Sequence, residues 1–195
     1  MGNEVTRLVC LPRILEGLRF TPKDKKSQIA KLPSLLEDVV GKVPFYLVAD
    51  AYYASGAFAN SLISMSGHLI TRAKGNAVAY LPFQKKSGKQ EKGRPKQYGK
   101  KVSLQTLSKD GSAFVEAESP VYGERGVKIL YREVILLWKP VGKRVKFVIV
   151  KHPTRGKRGG AFYLMTTDLE LDALDLIYIY GLRFKIEVSF KAAIH

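Results

Sequence analysis

The chain has 195 residues, enough to bury one sizeable core and marginal for two. Thirty-three Lys and Arg against 17 Asp and Glu give a net charge of +16, whose sign gathers polyanions, so nucleic acid leads the partner classes. One cysteine, Cys10, excludes an internal disulfide, and with only three scattered histidines beside it, His68, His152 and His195, a soft zinc site is excluded as well. A catalytic metal would have to be a hard ion on carboxylates. The longest apolar stretches are strand-length and broken by charge, which predicts no membrane span. The opening MGNEVTRLVC lacks the basic head and long apolar run of a signal peptide. The cytoplasm is the expected location, with association to the nucleoid when DNA is bound.

Residues 5–20 read as a short strand and a turn. Residues 27–40 read as a helix with Ile29, Leu32, Leu35, Leu36 and Val39 on its apolar side, and Pro33 places its true start near Leu32. The continuous apolar run 45–49, FYLVA, predicts an inner strand buried on both faces, with Asp50 at its carboxyl end. Residues 55–65 then read as a helix and HLITR (68–72) as another short strand. Strand, helix, strand with a polar end on the first strand is α/β architecture, and open sheets of that kind place ligands at such ends.

From residue 76 to about 167 the pattern changes to β-rich pieces, 102–107, 113–117, 127–137, 145–150 and 161–166, separated by Gly, Pro and Lys segments. This predicts an antiparallel sheet inserted into the α/β domain. Two basic clusters fall within it. Residues 85–101 hold eight Lys and Arg against Glu91 alone, and residues 139–158 hold eight more with no acid. Each reads either as a solvated loop or as a phosphate-contacting face, and two on one insertion favour the second. Arg94, Tyr98, Lys100, Arg155, Lys157 and Arg158 are the candidates for positioning a nucleic-acid backbone without reading bases.

Helical spacing returns after Asp168. Asp172 suits a cap, with Asp175 reaching back to it. Leu176, Ile177, Tyr180, Phe184 and Val188 recur at helical intervals over residues 173–193, through Gly181, which weakens the case for one unbroken helix. This helix needs a sheet to cover and is expected to lie over the strand that ends at Asp50. Asp50 and Glu187 both sit among apolar neighbours, so each carboxylate must lie at an exposed edge, in an ion pair, or on a metal. Arg183 is one helical turn before Glu187, and a plain Arg183–Glu187 salt bridge is the alternative reading.

The segments VPFYLVADAYYAS, ISMSGHLITRAKGNAVAY and LMTTDLELDALDLIYIYGLRFKIEVSFK resemble insertion-sequence transposases of the DDE type, those whose RNase H-like catalytic domain carries a long β-rich insertion. The late signature of Tyr, two residues, Arg, three residues, Glu is present as Tyr180, Arg183 and Glu187, and GRPKQYGKK is similar to a segment found between the blocks. The resemblance covers essentially the whole chain. It implies a partial RNase H-like fold: residues 1–75 as the central strand-helix-strand part, 76–167 as the basic β-rich insertion and 168–195 as the helix carrying the glutamate. It also implies that Asp50 is the second catalytic aspartate and Glu187 the glutamate. Both would be ligands of Mg²⁺ or Mn²⁺, with Tyr180 and Arg183 holding phosphate. The implied activity is metal-dependent cleavage and joining of double-stranded DNA at transposon ends and target. Family members place a further aspartate well upstream of the block around Asp50, yet the acids before it are Glu4, Glu16, Asp24, Glu37 and Asp38, none at the end of an inner strand. The place of a distal basic residue seven positions after Glu187 falls on Ile194, and Lys191 comes too early. The expectation is therefore a transposase domain incomplete at both ends and inactive alone. Its alternative roles are a catalytically silent DNA-binding module or a defective subunit that inhibits full-length transposase, and its expected protein partners are a second copy or the full-length enzyme.

Overall fold

The computed structural model describes residues 28–41, 43–84, 96–121, 123–152 and 160–194. The strand and turn expected over residues 5–20 lie outside the described residues, as do Arg94, Arg155, Lys157 and Arg158 and the side chains of Leu35, Val39 and every residue from 184 on.

The first helix, α1 (Gln28–Val40), packs Ile29, Leu32 and Leu36 against the core. It starts four residues earlier than Pro33 suggested and carries that proline inside. The ring forfeits one backbone hydrogen bond, to the carbonyl of Ile29, and burying Ile29 and Leu32 together offsets the loss. Strand β1 (Phe45–Ala49) follows, then a 3-10 turn, Ala51–Tyr53, and helix α2 (Gly56–Ser64), whose first turn is capped by Ser55 Oγ accepting from the Phe58 N–H at 3.2 Å. The chain crosses over to β2 (Gly67–Ala73), parallel to β1 with Phe45 opposite Gly67 and Ala49 opposite Thr71. The strand-helix-strand unit thus forms as expected.

Residues 76–167 depart from the expectation. They contribute β3 (Val78–Pro82), β4 (Tyr98–Ser103), the short helix α3 (Leu104–Lys109), β5 (Val115–Glu118), β6 (Lys128–Trp138), β7 (Lys143–Lys151) and β8 (Phe162–Thr166). These strands do not make a separate sheet. Strand β8 lies antiparallel to both β2 and β7, so one sheet runs in the order β1-β2-β8-β7-β6-β3-β4, with β5 pairing β6. The strand expected over 102–107 ends at Ser103. Leu104, Leu107 and Ser108 instead turn inward from α3 at helical spacing. Ala113 lies in a 3-10 turn capped by Asp110, and the neighbouring strand begins at Val115.

Strand β1 is not seen in the expected inner position among the described residues. Among the described residues it pairs with β2 alone and forms the sheet edge, with Tyr46 37 % exposed. Its apolar run has another cause, for both faces of the strand lie under helices. Phe45 and Leu47 pack in a core beneath α1 and α2, with Phe58, Leu62, Leu69, Trp138, Phe147 and Met165. Val48 packs in a second core on the opposite face, with Ile70, Val148, Leu164, Leu176 and Tyr180. A run of apolar residues reports burial of faces and is blind to whether an edge is paired.

The last helix, α4 (Ala173–Ile194), covers that second face and continues unbroken through Gly181. The glycine lets α4 pass close to Val121, since a Cβ there would lie 3.3 Å from that side chain. Asp172 caps the helix, accepting from the N–H groups of Leu174 (2.7 Å) and Asp175 (3.4 Å). The bond joining the two acids therefore runs from the Asp175 backbone to Asp172, opposite to the expected reach. The entry to α4 is pinned to the sheet by Lys146, 4 % exposed, which donates to the Leu171 carbonyl at 2.6 Å and faces Glu133 at 3.3 Å.

Candidate functional site

Asp50 leaves the end of β1 as the cap of the 3-10 turn. Its Oδ1 accepts from the Tyr52 N–H at 2.8 Å, and its carbonyl accepts from the hydroxyl of Thr71 on β2 at 2.6 Å. The carboxylate is exposed but its backbone is held from two sides. A cavity of about 310 Å³ opens here, lined by Leu32 of α1, by β1 from Leu47 to Ala49, by Asp50 and Tyr53, and by Arg183 of α4. Residues from both faces of β1 contribute, so the cavity wraps the open edge of the strand between the two helices.

Tyr180 stands one turn before Arg183 on α4 and is 4 % exposed, with the Arg183 guanidinium 5.6 Å from its ring centroid. Burial raises the Tyr180 phenol above its ordinary value, the charges of Arg183 and Arg72 draw it back down, and that of Asp50 pushes it up. One hydroxyl thus senses three charges, from the turn after β1, from β2 and from α4. Arg72 was not anticipated from the sequence. It is exposed on β2, one residue beyond Thr71, which is in register with Ala49. A period-two count along HLITR, combined with parallel pairing to FYLVAD, is the signal that would have found it. Glu187 follows Arg183 by one turn of α4, and its side chain is outside the described ones.

Of the residues proposed to meet a nucleic-acid backbone, Tyr98 and Lys100 lie on β4. Lys100 is exposed, whereas Tyr98 is half-buried and packs edge-on against Tyr80 at 5.2 Å. The basic segment 139–158 divides. Lys139, Lys143 and Arg144 are exposed around the β6–β7 turn, while Lys146 is buried and Lys151 lies over the Phe114 ring at 4.1 Å. Those last two serve packing, which corrects the reading of the whole segment as one contacting face.

A separate polar cluster ties β1 to the chain leaving β8. The Tyr46 hydroxyl donates to Asp168 Oδ2, His68 Nδ1 lies 3.3 Å from Thr167 Oγ1, and the Leu69 N–H donates to that same oxygen at 3.0 Å. Burial and then the bonded, negatively charged Asp168 hold the Tyr46 phenol well above its ordinary range. Burial pushes Asp168 up, but the Tyr46 hydroxyl, the Glu170 N–H, the charge of His68 and the Leu171 N–H together bring it below the usual carboxylate value. The depressed Asp168 contributes stability that is present above its unfolded value of about 4 and lost as pH falls through its folded value. The raised Tyr46 contributes stability that is present below about 10 and lost as pH rises beyond it. Tyr46→Phe should cost about 1 kcal/mol near neutrality, a figure already reduced for partial exposure, and should flatten both limbs of a plot of urea midpoint against pH. Unaltered limbs would show that this bond does not shape the pH dependence.

These features define a class: a mixed α/β protein with an open sheet whose end strand delivers a carboxylate to a cavity roofed by a late helix bearing Tyr and Arg. Residues 12–193 match the family model described as the transposase DDE domain. The chain belongs to the DDE transposase family, whose fold is RNase H-like and whose chemistry uses divalent metal ions and DNA. A comparison with characterised proteins gives no significant match. Among the described residues no three carboxylate, histidine or cysteine side chains converge, and Asp50 is the one carboxylate lining the cavity. That donor is right in kind for a hard ion. No helix of the described residues is long and apolar enough to cross a membrane.

Proposed function

We propose that this chain forms the strand-processing part of a DNA transposase, with Asp50 and Glu187 as oxygen ligands for Mg²⁺ or Mn²⁺. Arg183, supported by the buried Tyr180 ring, holds phosphate beside the cut, and Arg94, Tyr98, Lys100, Arg155, Lys157 and Arg158 contact the duplex backbone. The observation that carries the reading is the single cavity shared by Asp50, at the end of β1, and Arg183, far along the chain on α4. When bound, the ions would activate a water or 3'-hydroxyl and stabilise the leaving oxygen of an in-line displacement. The chain's own part is positional. The Tyr52 N–H fixes one Asp50 oxygen and leaves the other to a ligand. Arg183 offers a planar charge suited to two phosphate oxygens, while the Tyr180 ring beneath it holds that charge in place. Because β8 joins the inserted strands to β2, residues 1–195 act as one DDE-type domain.

With Asp50 and Glu187 as its two carboxylates, the chain alone is expected to bind an ion weakly and to leave DNA uncut. Mn²⁺ binding followed by water proton relaxation, with duplex DNA present, tests the assignment. Asp50→Asn and Glu187→Gln should each weaken binding at least about tenfold, and Asp168→Asn should not. Equal Mn²⁺ affinity in wild type and both site variants would overturn it. The open edge of β1, a row of backbone donors and acceptors without a strand partner among the described residues, favours a second reading. In that reading the chain is a catalytically silent DNA-binding subunit that pairs with a second copy or with full-length transposase. Co-purification with active transposase, and inhibition of its cutting, distinguishes it.

A further inference from the structure

Two residues beyond Asp50 stands an aromatic side chain that neither the cavity nor the cores account for. Tyr52 is 61 % exposed, the most exposed aromatic ring among the described core and surface hydrophobics. An exposed tyrosine on a mobile loop would carry no meaning, but this one is held firmly. Its backbone N–H is bound by the Asp50 carboxylate at 2.8 Å, within a 3-10 turn closed by the Tyr53 N–H to the Asp50 carbonyl at 3.1 Å. Its ring meets that of Tyr53 at 5.4 Å and 88°, and Tyr53 in turn lies 5.8 Å from Phe58, which is 1 % exposed. Three rings in succession therefore carry the rigidity of the core out to solvent. The last of them stands beside the carboxylate and beside the cavity that Tyr53 lines.

We propose that Tyr52 is a nucleobase-stacking platform for an unpaired nucleotide next to the processed phosphate. This rests on the DNA-processing reading above and adds to it the form of DNA preferred at the site. A T-shaped contact with Tyr53 engages a ring edge of the pair and leaves aromatic face for a ligand. The π-face of a base is its natural partner, and because every base has one the preference is for unpaired structure and not for sequence. A fully stacked duplex offers no free base face, so the platform discriminates between paired and unpaired DNA, whereas the basic residues bind both through phosphates. The hydroxyl is dispensable in this role and the ring is not.

The test compares, for the full 195-residue chain, affinity for a blunt duplex and for the same duplex carrying three unpaired nucleotides at one end, at fixed salt. Wild type should favour the frayed duplex. Tyr52→Ala should lower its affinity for the frayed duplex about tenfold, within the range of one lost stacking contact, and leave the blunt duplex unaffected. Tyr52→Phe should retain the wild-type ratio. Tyr52→Trp should report the contact directly, through quenching of its exposed indole by the frayed duplex and not by the blunt one. An identical ratio of affinities in wild type and Tyr52→Ala, with an unquenched Tyr52→Trp, would overturn the platform while leaving DNA processing standing. Failure of wild type to bind either DNA would overturn both. Circular dichroism of each variant verifies the fold, which an exposed position should leave intact.

Discussion

Duplex DNA should bind about a hundredfold more weakly in 0.1 M salt when Arg155, Lys157 and Arg158 are together replaced by Ala, and the slope of log affinity against log salt should flatten by about 2 to 3. The reasoning is counterion release. Each phosphate neutralised by a fixed cation frees close to one condensed ion, and three lost cations remove three such contributions whatever the sequence of the duplex. Blunt duplexes of unrelated sequence should therefore lose affinity by a similar factor. Lys146 lies within the same basic segment but is buried against Leu171 and Glu133, so its replacement should leave the slope unchanged and instead lower stability. A slope unaltered by the triple replacement would mean that residues 153–158 do not touch DNA.

Phe147→Ala is expected to be the most damaging single replacement in the sheet. The ring has no exposure and lies on β7, between β6 and β8, in the core beneath α1 and α2. Removing it forfeits the transfer free energy of the ring and leaves a cavity that strands paired on both sides cannot close, about 3–5 kcal/mol in all. That is a large share of the roughly 5–15 kcal/mol available to a domain, and at this size it should lower the melting temperature by about 10 °C. Tyr178, 42 % exposed on α4, supplies the contrast, since its replacement by Ala should remain within about 0.5 kcal/mol. Urea unfolding of the two variants decides the matter, and a loss below about 1 kcal/mol for Phe147→Ala would place the core elsewhere.

What could be read in advance followed from local chemistry. Apolar spacing over residues 55–65 marks a helix, Asp172 marks a cap, and an acid ending FYLVA marks the polar end of a strand. All three are where the residue types indicate. Tyr180 and Arg183 were singled out by the resemblance that their spacing to Glu187 carries, and Arg183 lines the cavity beside Asp50. Non-local pairing was not legible. Nothing in FYLMT specifies that it will lie between HLITR and KFVIV, so the insertion was expected as a sheet of its own and is instead continuous with the first one. The end position of β1 among the described strands was hidden for the same reason, since helices on both faces give such a strand the composition of a central one. Arg72 escaped because it matters only through its place beside the end of β1, one residue beyond the Ala49–Thr71 pair, and register appears only once two strands are paired.

The buried amine of Lys146 has a use of its own in a chain so rich in lysine. An acylating reagent modifies exposed amines quickly, but it can reach this one only when the Leu171 carbonyl lets go and the chain entering α4 lifts from β7. Its rate of modification, followed by mass spectrometry against Lys139 and Lys143 on the nearby turn, is then a clock for the opening of the roof over the candidate site. The helix that carries Arg183 and Glu187 starts two residues after that carbonyl. A DNA or metal ligand that closes the site should slow the clock at Lys146 far more than it changes labelling at the two exposed neighbours.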